Sequence, residues 1–232
     1  MSRLGHEFFP SWRLGYRSNP FRALTREEWR DIVVMPEGLH TLKDSLPSLT
    51  QILGDQGRGK TSALIGLARE FGGRGWQAAY EYLPPGSTRY KHNLKDIQIY
   101  LLDEAQRLSP QWRSKLFRHF SDGDQIKPHL ILSSHEDLSG TVEEDGLDGL
   151  TIVLEKYEPS FIQTLIEHRL NYFERPGSQG VRLTAEALGI VIDCCNSNLR
   201  KLEKLLYEVY QTWESKDSIS EQHILGIMAR LD

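Results

Sequence analysis

The sequence predicts an α/β fold with a mostly parallel sheet of five strands, followed by a small all-helical domain. Two observations predict it. Apolar runs of strand length alternate with amphipathic helical segments as far as residue 157, and this alternation is typical of βαβ units. Beyond that residue every periodic segment has helical spacing. The expected division is a basic and aromatic segment at 1–23, a core at 24–157 and a helical domain at 158–232.

The predicted elements of the core alternate in type along the chain. The segment 24–33 begins a helix, because Thr25 is a favoured N-cap and Glu28 follows three residues later. In the helix predicted at 109–120, Ser109 is the N-cap and Pro110 takes the first helical position. A further helix is predicted at 60–73. The predicted strands are 49–55, 76–83, 97–104, 129–134 and 150–157.

The rest of the chain predicts four helices. Thr184 and Ser220 are favoured N-caps for the second and fourth of them. The third carries an apolar stripe from Leu199 to Trp213, which is typical of a helix packed on one face. The predicted helices are 159–173, 184–195, 198–213 and 220–231.

Composition narrows the class of protein. Of the 232 residues 26% are charged, and the net charge is −4. No apolar run approaches the ~20 residues that span a bilayer, and the N-terminus lacks the apolar region of a secretory signal. The two cysteines, Cys194 and Cys195, are adjacent, so they build neither a disulfide framework nor a zinc site. We therefore expect a cytoplasmic protein with reduced thiols and no membrane span.

The stretch "ILGDQGRGKTSALIGLA" at 52–68 carries the strongest chemical signal. It fits the pattern G-x-x-x-x-G-K-[ST] at a junction of strand and helix. Glycines let the backbone curl so that its N–H groups face an anion, the lysine reaches the β- and γ-phosphates, and the hydroxyl binds Mg²⁺. The pattern predicts ATP and Mg²⁺; the alternative is a glycine-rich turn without a ligand. The residues predicted to bind ATP are Gly54, Asp55, Gln56, Gly57, Arg58, Gly59, Lys60, Thr61 and Ser62.

Two adjacent carboxylates end the predicted strand "IQIYLLDE". Asp103 is predicted to hold Mg²⁺ together with Thr61, and Glu104 to polarise the attacking water. Two carboxylates at a buried strand end repel each other unless a cation lies between them. The alternative is an ordinary cap between strand and helix.

Two polar positions complete the predicted site. Ser134, with Ser133 as the second choice, ends the strand "HLILSS" and would lie between the carboxylates and the γ-phosphate; the alternative is a solvated loop serine. Arg200 stands at the start of a helix and is predicted to belong to the site. The alternative interpretation is that it is a surface arginine. His135 shows no metal-ligand spacing, so we expect it to be a surface or packing residue.

These motifs, in this order, resemble those of the AAA+ ATPases, in particular the compact bacterial group that includes replication initiators, transposition regulators and ATPases of the ExeA type. The resemblance covers roughly residues 20–232 and includes "SNPFRALT" and "NLRKLEKLL". It implies a three-layer αβα P-loop NTPase core, a helical lid and ATP bound between them. It also implies that Ser134 and Arg200 sense the γ-phosphate. Homo-oligomers, as rings or filaments, would complete each site with a neighbour's arginine.

The sequence departs from that family in the stretch "EDLSGTVEEDGLDGL" at 136–150, which contains neither Arg nor Lys. The arginine supplied to a neighbour normally lies there. Arg113, Arg118 and Arg169 are candidate substitutes. Without one we expect slow hydrolysis or dependence on a partner, since such an arginine is worth about 10³–10⁵ in rate. The acidic stretch is also a candidate contact for a neighbour's basic N-terminal segment.

The N-terminal segment has two interpretations. Six arginines stand within residues 1–30, interleaved with aromatic residues. They could grip a nucleic-acid backbone and stack its bases, or the aromatic side chains could pack on the fold and one of them cover the adenine.

The expected function is that of a Mg·ATP-dependent AAA+ ATPase. We expect it to regulate or assemble a partner complex, with DNA as a candidate partner. Two alternatives remain: a nucleotide-gated scaffold with little hydrolysis, and a DNA-binding module with a secondary ATP site. Lys60, Glu104, Ser134 and Arg200 are the predicted catalytic residues.

Overall fold

The computed structural model describes residues 10–43, 46–121, 128–140 and 149–231. Contacts between Cα atoms divide the chain into two units, one of residues 33–155 and one of residues 1–32 with 156–232. This division groups 24–32 with the helical part, whereas the sequence groups them with the core. The functional division into segment, core and lid stays a prediction. Part of the acidic stretch, 141–148, and the first nine residues lie outside the described residues.

Among its described residues, the sheet unit contains five strands and two longer helices. It also holds two 3₁₀ turns, Glu37–Lys43 and Ala105–Arg107. In chain order the elements are β1 Leu49–Leu53, α3 Lys60–Gly73, β2 Ala78–Tyr82, β3 Ile99–Asp103, α4 Pro110–Ser121, β4 His129–Ser134 and β5 Gly149–Val153.

All strand pairs are parallel, and the spatial order is β2-β3-β4-β1-β5. The expected five-stranded parallel sheet is therefore confirmed. The carboxyl ends of parallel strands meet at one edge of the sheet, where ligands bind in open α/β folds. Since β4 lies between β1 and β3, its polar end stands between the glycine-rich loop and the two carboxylates.

Each face of the sheet has its own apolar core. Along β3, Ile99 and Leu101 pack with α3 residues such as Leu67, whereas Tyr100 and Leu102 pack with α4. Successive strand side chains point to opposite faces, so two helical layers enclose one sheet. The three-layer αβα arrangement is confirmed.

The second unit is entirely helical apart from isolated bridges among its described residues. Its apolar core joins the last four helices to the N-terminal segment, from which Tyr16 and Phe21 are almost fully buried. The helices are α1 Pro10–Arg13, α2 Arg26–Ile32, α5 Pro159–Phe173, α6 Ala185–Cys195, α7 Leu199–Thr212 and α8 Glu221–Leu231.

The described arginines of the N-terminal segment are largely engaged within this unit. The Arg17 guanidinium lies 4.9 Å from the ring centroid of Tyr172, and Arg22 forms a 2.5 Å ion pair with Glu28. These contacts favour the packing interpretation over the nucleic-acid one for Arg17 and Arg22, because both guanidinium groups are engaged by residues of the same unit.

Local capping agrees with the sequence. The backbone N–H of Glu28 donates to Thr25 Oγ1 at 3.2 Å, and the Thr25 N–H donates to Glu28 Oε2 at 2.9 Å. This is the reciprocal capping box. Ser109 and Thr184 likewise accept from the first turns of α4 and α6. In the part of the chain that is described, no helix combines the length and apolar character needed to cross a bilayer.

Candidate functional site

The loop between β1 and α3 is shaped by glycines. Gly57 and Gly59 have φ angles of 86° and 75°, a left-handed conformation that costs little only for glycine. α3 begins at Lys60, and its N-cap, Gly59, has no side chain to compete for the first free N–H groups. A helix N-terminus of this kind favours an anion. The loop therefore fits a phosphate group.

The Lys60 ammonium lies over this loop. It is 6% exposed and donates hydrogen bonds to the carbonyl oxygens of Gly54, at 2.6 Å, and Asp55, at 3.0 Å. Its Nζ is also 3.2 Å from His135 Nδ1. The positive charge is thus held against the loop, within reach of a phosphate bound there.

Asp103 forms the second half of the site. Its carboxylate is fully buried; Oδ2 accepts from Thr61 Oγ1 at 2.7 Å and from the Tyr80 hydroxyl at 3.1 Å. The Ser133 hydroxyl donates to Oδ1. The structure thus brings together the two residues that the sequence predicts as the metal site.

The donor set fits Mg²⁺. Hydroxyl and carboxylate oxygens are hard ligands, and Mg²⁺ is usually held by few protein groups with phosphate and water completing its shell. Among the described residues, no group of three or more His, Cys, Asp and Glu could hold a metal on its own. A magnesium at Thr61 and Asp103 would therefore arrive with a phosphate.

Glu104 follows in the left-handed conformation, with φ at 65°. Its carboxylate contacts Gln106 Nε2 at 2.8 Å, the Arg107 guanidinium at 3.0 Å and His135 Nε2 at 3.4 Å. It is 9% exposed. Three neighbours thus hold the predicted base at the same edge of the sheet as Asp103.

The two serines at the end of β4 make different contacts. Ser133 Oγ contacts the Asp103 carboxylate and accepts from the Glu104 N–H at 3.2 Å. Ser134 Oγ accepts from the Glu136 N–H at 3.0 Å. The second choice, Ser133, is therefore the serine bonded to both acidic residues, and the sensor role of Ser134 stays a prediction.

His135 is the residue that the sequence reasoning missed. Its two ring nitrogens face Lys60 and Glu104, so it bridges the lysine predicted to bind phosphate and the predicted base. His135 is exposed, as expected of a surface residue, but the expectation did not include its contacts with the site. The sequence does place His135 directly after a strand that is predicted to end in the site. That position, and not the spacing of histidines for a metal, indicates a contact with the site.

Arg200 belongs to the helical unit, as the second residue of α7. There it lines a cavity of ≈ 420 Å³ whose wall also includes Arg22, Trp29, Lys204 and Tyr207. Its predicted role at the γ-phosphate stays a prediction.

The candidate trans-acting arginines differ in accessibility. Arg169 is 3% exposed, and its guanidinium contacts Glu203 and the carbonyl oxygens of Pro20 and Arg22. It cannot reach a neighbouring molecule, so its candidacy is wrong. Arg113 is half-buried, whereas Arg118 is exposed on α4.

Several solved structures have a fold similar to that of this chain. RuvB of Thermotoga maritima matches with a TM-score of 0.63 and 15% identity, over 91% of this chain and 73% of RuvB. The Orc1 protein of Aeropyrum pernix, solved with DNA, has a TM-score of 0.54 and 14% identity over 95% and 69%. AMPPCP-bound DnaA of Aquifex aeolicus has a TM-score of 0.50 and 20% identity over 76% and 58%. No protein-family model and no curated sequence matches the chain.

The sheet order, its enclosing helices and the glycine-rich loop define a P-loop nucleotide-binding fold of the αβα type. The likeness to RuvB, DnaA and Orc1 narrows it to the AAA+ P-loop ATPase fold.

Proposed function

We propose that this protein is an ATPase that binds Mg·ATP at the loop 54–62 and uses it to control the assembly of a partner complex. The observation that carries the proposal is the 2.7 Å hydrogen bond between Thr61 and Asp103 beside the Lys60 ammonium. A hydroxyl, a carboxylate and a lysine converge at a helix N-terminus, which is the set that nucleotide phosphates and magnesium require.

Each residue of the site has its own proposed role. Lys60 exchanges the carbonyl oxygens of Gly54 and Asp55 for oxygens of the β- and γ-phosphates. Thr61 and Asp103 would hold Mg²⁺, which would supply positive charge to neutralise those phosphates. Glu104 accepts the proton of a water whose oxygen bonds to the γ-phosphorus while the bond to the β–γ bridging oxygen breaks. Ser134 and Arg200 are proposed to sense the γ-phosphate.

The names of the structural neighbours support this reading. DnaA was solved with the ATP analogue AMPPCP and Orc1 with DNA. For this chain we propose ATP as the nucleotide that it binds. We also propose that it acts on DNA together with a protein partner. Self-association into a ring or filament, and a place in the cytoplasm, belong to the same proposal.

The test measures nucleotide binding and phosphate release side by side. Wild type should bind Mg·ATP and release phosphate. Lys60→Ala should weaken binding by about 10- to 100-fold, the loss of one or two charge-assisted hydrogen bonds. Glu104→Gln should bind normally and lower phosphate release by roughly 10²–10⁴-fold. Normal ATP binding by Lys60→Ala would overturn the site. Mass in solution, with and without a slowly hydrolysed analogue, tests assembly.

A second candidate is a nucleotide-gated scaffold. It is favoured by the contacts of Glu104, because Gln106, Arg107 and His135 already occupy the carboxylate that would have to accept a proton. Tight ATP binding with phosphate release that Glu104→Gln leaves unchanged would select this candidate.

A further inference from the structure

An open cavity lies along one side of α7, within the helical unit. Its volume is ≈ 420 Å³, a size typical of pockets that take a ligand or a side chain of a partner. One wall consists of Arg200, Glu203, Lys204 and Tyr207, whose spacing makes them neighbours on one helix face. The facing wall comes from residues 21–24 and from α2. We call this cavity the α7 groove.

The facing wall is fixed to α7 by buried contacts. The Asn19 amide donates to the Tyr207 carbonyl oxygen at 2.9 Å, and the Phe21 N–H donates to Asn19 Oδ1 at 2.9 Å. The Phe21 ring is 3% exposed and packs on Tyr210 of α7, with ring centroids 5.3 Å apart. The two walls of the groove are therefore joined through the apolar core of the unit.

Two arginines that line the groove are neutralised inside the unit. The Arg22 guanidinium forms a 2.5 Å ion pair with Glu28. The Arg169 guanidinium forms an ion pair with Glu203, which is the acidic residue in the lining. Because each of these charges has a partner, neither arginine adds to the net charge that the groove presents to another molecule.

Two further cations of the lining have no such partner. Arg200 and Lys204 are exposed and lie one helical turn apart on α7. Neither side chain forms a salt bridge or a hydrogen bond with any residue that the structure describes. The groove therefore keeps an excess of positive charge. A carboxylate bound between these cations would accept charge-assisted hydrogen bonds, which are stronger than those between neutral groups.

An apolar surface lies in the same groove as these cations. Trp29 of α2 and Leu24 are half-buried, and the Tyr207 side chain is 36% exposed. All three line the groove. Tryptophan, tyrosine and arginine are the residues that most often anchor protein–protein interfaces. The groove thus offers a place for a bulky apolar side chain beside cations for carboxylates.

The shape and charge of the groove fit a protein segment better than a nucleic acid. A phosphate backbone is bound by several cations along its length, whereas this groove has two free cations and the half-exposed acidic residue Glu203. A concave wall with aromatic rings fits a single side chain. Charge complementarity therefore indicates a carboxylate-bearing protein segment as the occupant.

We propose that the α7 groove binds an acidic segment of a partner protein. The carboxylates of that segment pair with Arg200 and Lys204. A bulky apolar side chain next to them packs against Trp29 and Tyr207. The inference rests on the proposed function only for the expectation of a protein partner, and it gives that partner a binding site in the helical unit. Binding at the groove requires neither nucleotide nor magnesium.

The test measures binding of a fluorescein-labelled synthetic peptide of alternating glutamates and leucines, by anisotropy without nucleotide. Lys204→Ala should weaken binding by about 10-fold, the loss of one charge-assisted hydrogen bond. The matched control is Lys201→Ala, because Lys201 is an exposed lysine of the same helix that does not line the groove. It should bind as wild type does. Arg200 stays unchanged, since the proposed function gives it a role at the γ-phosphate.

Tryptophan fluorescence gives a second measurement on unlabelled peptide. The peptide should cover Trp29 and change its emission. Trp29→Phe should abolish that change, whereas Trp213→Phe, in the same unit but outside the lining of the groove, should keep it. Circular dichroism and thermal unfolding confirm that every variant is folded.

Wild-type protein that does not bind the acidic peptide overturns the inference, as do equal losses in Lys204→Ala and Lys201→Ala. Equal binding of a peptide with lysines in place of glutamates also overturns it. Displacement of the peptide by single-stranded oligothymidine, with the same dependence on Lys204, overturns it in favour of a nucleic-acid site.

ATP binding measured on the same samples separates the two proposals. A protein that binds the peptide through the groove but binds no ATP contradicts the proposed function alone. A protein that binds ATP but not the peptide contradicts this inference alone.

Discussion

Thr61 Oγ1 donates a 2.7 Å hydrogen bond to Asp103 Oδ2, joining residues 42 positions apart in the sequence. The bond connects the first turn of α3 to the end of β3. It links the glycine-rich loop directly to the acidic strand end, where we propose that a magnesium ion binds.

Asp103→Asn is expected to remove magnesium dependence from nucleotide binding. The amide keeps the size of the side chain but lacks the charge, and loss of a group that orients a bound metal costs about 10- to 100-fold in affinity. Titration calorimetry with Mg·ATP, and with ATP in a chelator, measures it. Asp96→Asn, on the exposed loop before β3, is the control. An unchanged benefit from magnesium in Asp103→Asn would refute the metal site.

Ser133→Ala and Ser134→Ala separate the two serines of β4. Ser133 bonds to Asp103 and to the Glu104 N–H, whereas Ser134 bonds to the Glu136 N–H. We expect Ser133→Ala to slow phosphate release by more than 10-fold and Ser134→Ala by only a few-fold, since a bond to a charged group is worth about 1.5–3 kcal/mol. The reverse order would support the sensor role predicted for Ser134.

His135→Ala is expected to slow phosphate release by roughly 10²-fold, a typical loss for one preorganised polar group, with little change in ATP affinity. The imidazole lies between Lys60 and Glu104, so its loss disturbs the positions of both. Single-turnover phosphate release and binding titrations give the two values. His119→Ala, exposed on α4, is the control. Equal rates in the two variants would assign His135 a packing role.

Glu81→Gln is expected to destabilise the protein by about 1–3 kcal/mol at pH 7, because a buried acceptor loses its charge. Burial acts to raise the pKa of Glu81, but hydrogen bonds from Tyr100 and His92 outweigh it and lower the pKa below its ordinary value. The stabilisation is therefore full above the unfolded pKa of about 4.3 and is lost as the pH falls through the folded pKa.

Denaturant unfolding of both proteins at pH 7 and near pH 3 measures this dependence. The difference in free energy of unfolding between wild type and Glu81→Gln should be smaller near pH 3 than at pH 7. Glu70→Gln, which removes a surface ion pair with Arg74, should change stability by less than about 1 kcal/mol. A gap that widens toward acid would contradict the assigned direction.

Two glycine-to-alanine substitutions in the helical unit should change the free energy of unfolding in opposite directions. A Cβ at Gly180 would lie 2.6 Å from the Tyr16 ring, which is fully buried, so Gly180→Ala should destabilise by about 1–3 kcal/mol. Gly189 is an exposed position inside α6 with open space around a Cβ, and alanine there should stabilise by up to about 1 kcal/mol. Thermal unfolding checks both; shifts of the same sign would contradict the packing.

Local features of the fold were predictable because their causes are local. The helices at 60–73 and 159–173 begin and end where expected, since glycines, proline and polar caps act within a few residues. The loop at 54–62 was recognisable for the same reason: its glycines, lysine and hydroxyl are consecutive in the chain. The order of strands and helices was enough to predict a parallel sheet.

The choice between Ser133 and Ser134 could not be made from the pattern. Alternation along a strand places the two side chains on opposite faces, but which face meets Asp103 depends on how β3 and β4 pair. The role of His135 was hidden for a similar reason, since it contacts residues 75 and 31 positions away along the chain.

By itself the sequence determined the class of fold, the glycine-rich loop between a strand and a helix, and the two carboxylates at a strand end, because periodicity, caps and glycines encode short-range geometry. Only the tertiary structure decided that β4 lies between β1 and β3, that Thr61 meets Asp103, and that His135 bridges Lys60 and Glu104. It also decided that Tyr16 and Phe21 join the helical core. The physical reason is that long-range contacts follow from strand order and packing of whole faces, which no stretch of residues specifies alone.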